Sequence, residues 1–339
     1  MKGKKIVLSI ILIINMFLIT ACGNASNEVM DSVNPKVTFE PVSNSFYYDQ
    51  LDEEETEVFE MILNQCRTYK GGLIELEEPI SSESLLRINY VLHYDETHRF
   101  WPLASLYIYD EQNRDISDIT DERIVSKIYV QFAEVEENPT LDAFRFQFSE
   151  DKVLLNEEEF IGILENTTIT EDSYMEISQQ IAEIEQEIIA EMPKDIRQKE
   201  ALFYFCNWIR KNMEYDLRVF EVCTSMEYQE PFSNSMYANV AFERSIIEKK
   251  GLCGSFAIVV SHLCNQVGIP AYPVIGTVDT GGVPVNHGWV AVEIGGQTLY
   301  IDPTFVNGMG KMDALANKNQ MEQRRSDGRR YVFTEVFEY

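Results

Sequence analysis

The sequence predicts an α+β protein with two domains behind an export segment. Three observations support this prediction. The 339-residue chain suits two domains of about 150 residues each. Its first half contains the two-residue alternation of antiparallel strands, and its second half combines helical periodicities with a hairpin pattern. Hydrophobic residues make up 45% and charged residues 25% of the chain, values that exclude a disordered, collagen-like or polytopic membrane protein.

The chain is strongly acidic. It contains 28 Lys and Arg against 56 Asp and Glu, which gives a formal net charge of −28. Such a surface repels phosphate backbones and anionic lipid head groups, so we expect no nucleic-acid partner. The acidity can also serve only to keep the protein soluble.

Residues 1–21 are predicted to be a signal peptide. Lysines precede an uncharged apolar run that is shorter than the about 20 residues needed to span a bilayer. The run ends in LITAC at Leu18–Cys22, which resembles the lipobox of bacterial lipoproteins. This resemblance implies that Cys22 becomes the lipidated first residue. The acyl chains would then anchor the protein on the outer, extracytoplasmic face of the bacterial cytoplasmic membrane.

After a predicted flexible tether over residues 22–45, residues 46–165 are expected to form an N-terminal α+β domain. Asp52 and Glu55 have the spacing of a capping box before an amphipathic helix that ends near Gly71-Gly72. Alternating apolar residues then predict three strands, at Leu106/Ile108, Ile128/Val130/Phe132 and Phe144/Phe146/Phe148. We expect no metal in this domain, because His93 and His98 lack both a one-face helical spacing and a third ligand.

Residues 173–339 are predicted to form the second domain. Isoleucines at intervals of four, three and four residues indicate a helix over 173–192, with a glutamate-rich outer face and an end at Pro193. Another helix is predicted to begin at Asp195. The irregular stretch from Tyr215 to about Asn239 is too long for an ordinary connector, so we expect it to border a binding cleft.

Cys253 is the best candidate nucleophile. It follows a glycine-containing break and begins an apolar helical run that ends at Gly268-Ile269-Pro270. Unpaired N–H groups and the helix macrodipole favour a thiolate at such a position. His262 lies nine residues further along this helix, about 13 Å away and on nearly the opposite face, so it cannot be the base for this thiol.

The remaining candidate base, His287, begins a predicted β-hairpin that turns at Gly295-Gly296 and returns to Asp302. A register that pairs Val292 with Leu299 makes one face aliphatic. It also puts His287 diagonal to Asp302, at about 7–8 Å between backbones, within reach of the two side chains. A carboxylate placed in this way can orient the ring and stabilise imidazolium. Cys253, His287 and Asp302 together therefore suggest nucleophilic catalysis.

Three ordered blocks of the sequence resemble the bacterial transglutaminase-like superfamily. They are IEKKGLCGSFA followed by GIPAY, then NHGWV, then YIDPTF, and the resemblance covers about residues 175–306. It implies a papain-like fold, with the nucleophile helix packed on an antiparallel sheet, and a Cys253, His287 and Asp302 triad. Ser255 departs from the pattern, since relatives often carry an acidic residue there. The resemblance supplies no aligned oxyanion donor upstream of Cys253. The backbone N–H of Cys253 is one candidate donor, and Tyr237, Asn239 and Trp289 are the further candidates for contact with the oxyanion or the substrate.

The predicted function is a lipid-anchored cysteine acyltransferase or hydrolase that acts on amide bonds of proteins or peptides, some of them associated with the cell wall. Hydrolysis and crosslinking both remain open, because the triad serves either. The alternative is a catalytically silent binding module with the same fold, which recognises cell-wall or surface proteins. We expect no cofactor and no metal.

Two further features concern the remaining cysteines and the arginines near the C-terminus. Four cysteines allow several disulfide pairings outside the cytoplasm, and none is favoured; they are Cys66, Cys206, Cys223 and Cys264. The only basic cluster contains Arg324, Arg325, Arg329 and Arg330, and it is expected to pair with the glutamate-rich surface.

Overall fold

A computed structural model describes most of the chain after residue 32. The described residues are 33–100, 103–112, 123–132, 158, 161, 170–217, 220, 245–305, 315–323, 325 and 328–339. Several predictions therefore lie outside the described residues: the signal peptide, Cys22, the strand at 144–148, Cys223, Tyr237 and Asn239. Within the described part, no helix combines the length and apolar character required to cross a membrane.

The N-terminal domain combines two helices and a three-stranded antiparallel sheet within the described residues. The elements are α1 (Glu53–Cys66), β1 (Gly72–Ser81), α2 (Ser82–Tyr94), β2 (Leu103–Tyr109) and β3 (Arg123–Phe132), with the sheet order β1-β3-β2. The capping box that begins α1 is confirmed, because Asp52 accepts from the Glu55 N–H and Glu55 accepts from the Asp52 N–H. The helix ends earlier than expected, at Cys66, and a turn follows it.

The second domain packs helices against a four-stranded antiparallel sheet. Its elements are α3 (Glu171–Ala190), α4 (Gln198–Asn212), β4 (Glu214–Tyr215), β5 (Lys250–Gly251), α5 (Cys253–Gln266), β6 (Ala271–Asp279), β7 (Val285–Ile294), β8 (Gln297–Ile301), α6 (Lys318–Glu322) and β9 (Arg330–Phe333). The order of the large sheet is β8-β7-β6-β9. The α+β fold class is confirmed, with the nucleophile helix α5 packed on this sheet.

The predicted hairpin register is confirmed. Val292 pairs with Leu299 and Val290 pairs with Ile301, so the aliphatic side chains of β7 and β8 join the core formed with α4 and α5. The opposite face is aromatic and buries Trp289, Tyr300 and the β9 residues Tyr331 and Phe333. This two-sided burial explains the register, since a slip of one residue would exchange the two faces.

The segment before the N-terminal domain contacts the second domain, and the C-terminal end of the second domain contacts the N-terminal domain. In the segment expected to be a flexible tether, the Val37 N–H bonds to the carbonyl of Ile196, and the Val42 N–H bonds to that of Asn265. Val37 is also buried. The prediction of flexibility is therefore wrong for residues 37–42, which pair with distant backbone that local composition does not reveal. At the other end, Phe337 is buried in the core of the N-terminal domain.

The two domains also meet through aromatic residues. Phe46 stacks on Tyr272 of β6 with ring centroids 3.8 Å apart, and Tyr47 donates a hydrogen bond to the carbonyl of Pro273. Tyr47 is fully buried. The N-terminal domain is therefore packed directly against the sheet that carries His287.

Candidate active site

Cys253 occupies the first position of α5, as the sequence predicts, and Leu252 is the N-cap. The Ser255 hydroxyl accepts the Leu252 N–H at 3.0 Å, which satisfies one backbone donor at this end. Apolar side chains bury most of the helix behind the cysteine, whereas Cys253 itself is only half-buried. The thiol is therefore held at a fixed helix end with an exposed side.

A contact between two glycines brings this helix end against β7. A Cβ atom added to Gly288 would lie 2.9 Å from the Cα of Gly254 and 3.1 Å from its nitrogen. These are backbone atoms of α5, which cannot move aside as the end of a side chain can. The absence of a side chain at Gly288 therefore sets how closely Cys253 approaches the neighbouring residue, His287.

His287 and Asp302 are in direct contact. The Nε2 atom of His287 lies 2.7 Å from Oδ2 of Asp302, and both side chains are buried. The diagonal pair predicted from the hairpin register is thus formed. Because Nε2 is engaged by the carboxylate, Nδ1 is the ring nitrogen left for the Cys253 thiol, with which His287 shares a hydrogen bond.

Asp302 is surrounded by donors on both carboxylate oxygens. Its Oδ1 accepts the backbone N–H of Thr304 at 3.0 Å. Its Oδ2 accepts the Tyr331 hydroxyl at 2.7 Å in addition to His287. The guanidinium of Arg329 lies 4.0 Å from the same oxygen. A buried carboxylate with these neighbours stays ionised and fixed in orientation.

The pKa values of the three groups follow from these contacts. Burial alone would raise the pKa of the Cys253 thiol, but the hydrogen bond and charge of His287 and the Gly288 N–H hold it below its ordinary value. Burial would lower the pKa of His287, and Asp302 and then Cys253 raise it instead. Burial of Asp302 is likewise outweighed, chiefly by His287 and Tyr331, so its pKa is lowered. The site therefore favours a thiolate beside an imidazolium.

Tyr215 also contacts the cysteine, although the sequence indicated only that the stretch beginning there borders a cleft. The short parallel pair of β4 and β5 matches Tyr215 with Gly251, and the Tyr215 ring packs on Phe256 at 6.0 Å. Its hydroxyl shares hydrogen bonds with both the thiol and the backbone N–H of Cys253.

Two expectations about side chains are wrong. Trp289 is fully buried against Tyr331 and Phe333, so it cannot contact a substrate; its position on the aromatic face of a two-sided sheet is the reason. Of the arginine cluster, Arg329 is 7% exposed and faces Asp302 and the Phe305 ring, so the expected exposed pairing with the glutamate-rich surface is wrong for this residue.

Outside the Cys253 site, the structure describes three further cysteines and the potential metal ligands. Cys66, Cys206 and Cys264 are buried free thiols, which agrees with their places on apolar helical faces. Among the described residues, no group of three or more His, Cys, Asp or Glu side chains has an arrangement that could hold a metal ion. Neither observation adds a second reactive centre.

Sequence and structure comparisons give one clear match. Residues 182–303 match the family model of the transglutaminase-like superfamily, a segment that contains Cys253, His287 and Asp302. No curated protein matches the sequence.

Solved structures show weaker similarity. A transglutaminase ("TGase") is 18% identical with a TM-score of 0.33, over 45% of this chain and 38% of that one. A candidate cysteine protease from Cytophaga hutchinsonii is 20% identical with a TM-score of 0.27, over 44% and 46%. A candidate protease from Parabacteroides distasonis is 11% identical with a TM-score of 0.24, over 59% and 37%. The chain thus spans less than half of each of these proteins, and TM-scores this low establish no shared activity.

The family match and the α+β architecture support a cysteine enzyme of the peptidase and acyltransferase kind. Residues 182–303 therefore carry a transglutaminase-like domain.

Proposed function

We propose that this protein is an extracytoplasmic, lipid-anchored cysteine enzyme that cleaves or transfers the acyl group of amide bonds in proteins or peptides. Cys253 is the nucleophile, His287 the general acid and base, and Asp302 the residue that orients the imidazole. The observation that carries the proposal is the relay in which the Cys253 thiol meets a His287 ring held by Asp302 at 2.7 Å.

In the first half of the reaction, the thiolate sulfur attacks the amide carbonyl carbon, and the carbonyl oxygen becomes an oxyanion. The Cys253 N–H donates to the Tyr215 hydroxyl before substrate binds, and it donates to the substrate oxygen in the intermediate. The Tyr215 hydroxyl can then donate to the same substrate oxygen. When the tetrahedral intermediate collapses, the C–N bond breaks. His287 gives its proton to the leaving amine, and a thioester on Cys253 remains.

In the second half, neutral His287 removes a proton from water or from a primary amine as that molecule attacks the thioester carbon. The C–S bond then breaks and the sulfur leaves as thiolate, which the regenerated imidazolium stabilises. Water gives hydrolysis, and a lysine side chain gives a crosslink. Access of the acceptor to the half-buried thioester decides between the two products.

The test uses the whole chain, purified from membranes in mild detergent, with casein and a fluorescent primary amine. We expect incorporation of the amine or release of peptides, and we expect both to disappear in Cys253→Ala. Cys264→Ala is the matched control, because it removes a buried thiol from the same helix and should retain activity. Absence of both products with the wild-type chain would contradict catalysis on protein amides.

Iodoacetamide labelling at pH 6 separates an enzyme from a binding module that has kept only the fold. A thiolate paired with imidazolium reacts at this pH, whereas an ordinary thiol barely reacts. We expect rapid labelling of Cys253 and slow labelling of Cys66, Cys206 and Cys264, whose pKa values burial raises. Equal, slow labelling of all four would favour the binding module.

Membrane anchoring through Cys22 is a separate part of the proposal, supported by the lipobox-like sequence. Labelling of growing cells with radioactive palmitate should mark the wild-type protein, and Cys22→Ser should remain unlabelled and leave the membrane fraction. A wild-type protein without label would contradict the anchor and leave the proposal about Cys253 unaffected.

A further inference from the structure

Strand β9 lies beyond the segment that matches the family, yet it supplies the surroundings of Asp302. The matched segment ends at residue 303, whereas β9 begins at Arg330 and pairs with β6, not with the strands that carry His287 and Asp302. In this register Tyr331 opposes Val278, and its side chain is fully buried on the aromatic face of the sheet.

Three groups form a hydrogen-bonded chain that ends at the imidazole. Arg329 donates from Nη1 to the Tyr331 oxygen at 3.4 Å, and Tyr331 donates to Oδ2 of Asp302 at 2.7 Å. The same Oδ2 accepts from Nε2 of His287 at 2.7 Å. Arg329 is held in turn over the Phe305 ring, with 4.2 Å between its guanidinium carbon and the ring centroid.

This arrangement limits how the carboxylate can rotate. Because Oδ2 is shared by Tyr331 and His287, and Oδ1 accepts the Thr304 N–H, a turn of the carboxylate would break at least two hydrogen bonds at once. Loss of the Tyr331 hydroxyl would release one of these constraints and leave the buried oxygen with one donor fewer. Loss of the Arg329 charge would remove the cation that helps to keep this buried carboxylate ionised.

We propose that Tyr331 and Arg329 are positioning residues that hold Asp302 ionised and aimed at Nε2 of His287, so that β9 and the residue before it complete the site from outside the family segment. This inference rests on the proposed function, because it assigns a task to two residues that touch Asp302 and not the substrate. A merely structural role would stabilise the fold without changing the titration of the Cys253 thiol.

The test measures the rate of Cys253 alkylation by iodoacetamide from pH 4 to pH 10 in the whole chain. In Tyr331→Phe and Arg329→Met, we expect the acid limb to move to higher pH by about 0.5 to 1 unit, the size expected for the loss of one polar contact to a buried carboxylate. Arg329→Lys keeps the charge and should restore most of the wild-type profile. If casein turnover is measurable, kcat should fall by about tenfold with an unchanged KM.

Matched controls separate positioning from stability. Tyr272→Phe removes another buried phenol from the same sheet, and Arg330→Met removes the exposed neighbouring charge; both should leave the acid limb in place. Thermal melting shows which variants fold, and if Arg329→Met does not fold, Tyr331→Phe decides. Unchanged limbs in the folded variants, beside a reactive wild-type thiol, would overturn the positioning role. An unreactive wild-type thiol would instead overturn the proposed function.

Discussion

His262 of the nucleophile helix α5 and His287 of the neighbouring strand β7 both contact carboxylates. Nδ1 of His262 lies 2.7 Å from Glu96 and its Nε2 lies 3.0 Å from Glu185. His287 has a carboxylate on Nε2 only, and the Cys253 thiol takes the other side of its ring. The pKa of each imidazole is raised although burial opposes the charge. The decisive difference is the neighbour at Nδ1, which is the Cys253 thiol at His287, and Glu96 with the Arg99 guanidinium also 3.1 Å away at His262.

That neighbour separates a structural ion cluster from a reactive pair. Carboxylates on both ring nitrogens keep both protons of His262 in place, so this ring has no lone pair with which to act as a base. Since Glu96 belongs to the N-terminal domain and Glu185 to α3, the cluster instead joins three parts of the chain. At His287, a thiol on one side can exchange a proton with the ring. A histidine–carboxylate contact is therefore no sign of catalysis unless a nucleophile completes it.

The largest expected difference is in catalysis. His287→Ala should reduce amide turnover by about 10³-fold, because it removes the group that protonates the leaving amine and activates the acceptor. His262→Ala should change turnover per folded molecule little. The measurement is kcat with casein, normalised to the folded fraction from circular dichroism. Equal losses in both variants would contradict the division between a reactive and a structural histidine.

The second difference is in stability, where we expect the larger loss from His262→Ala and the smaller loss from His287→Ala. His262→Ala leaves the buried Glu185 and the partly buried Glu96 without the imidazolium that they share, and the loss of one partner from such a cluster costs about 3 kcal/mol in the free energy of unfolding. We expect a clear shift of the urea midpoint in this variant and a smaller one in His287→Ala. A midpoint for His262→Ala equal to that of the wild type would show that the cluster does not hold the domains together.

The sequence predicts the local parts of this picture well. The capping box at Asp52 and Glu55 and the contact of His287 with Asp302 both follow from short-range spacing, since a buried aliphatic face permits only one hairpin register. The missed features depend on distant pairings. Nothing in local periodicity indicates that β9 lies beside β6, so the approach of Tyr331 and Arg329 to Asp302 could not be derived.

The N-terminal region shows the same limit. Helix α2 begins at a capping serine, Ser81, whose hydroxyl accepts the Ser84 N–H, and it buries Leu85, Ile88 and Val91. The apolar spacing of these residues is a local signal for this helix. By contrast, the contacts of Val37 and Val42 with residues more than a hundred positions away carry no sequence signal, because backbone hydrogen bonds do not depend on side-chain type.

A third prediction concerns the glycine contact that brings the thiol to His287 and that His262 does not share. Gly288→Ala places a Cβ against backbone atoms of Gly254 and should push the helix end away from β7. Misplacement of a reacting group by about 1 Å can cost about 10²-fold in rate. Gly282→Ala is the control, since a Cβ there meets nothing within 4 Å. Full activity of Gly288→Ala would show that the contact does not set the thiol–imidazole distance.

The smallest expected effect is the pH dependence of stability that His262 contributes. Its pKa rises from 6.5 to about 10 on folding, so the folded state binds this proton more tightly than the unfolded state. The stabilisation is complete below the unfolded pKa and is lost as the pH rises from 6.5 towards 10. Within this window, the free energy of unfolding should fall by about 1 kcal/mol per pH unit more steeply in the wild type than in His262→Ala.

Urea denaturation at pH 7.5 and at pH 8.5 measures this difference. His287 has a raised pKa in both proteins, so its contribution cancels in the comparison. Glu96 does not interfere in the wild type, because its lowered pKa of about 2 lies far below the window. Parallel slopes for the two proteins would mean that His262 is neutral in the folded state. Glu96 would then be paired with Arg99, whose guanidinium lies 3.1 Å from Nδ1 of His262 and helps to lower the pKa of Glu96, and not with an imidazolium.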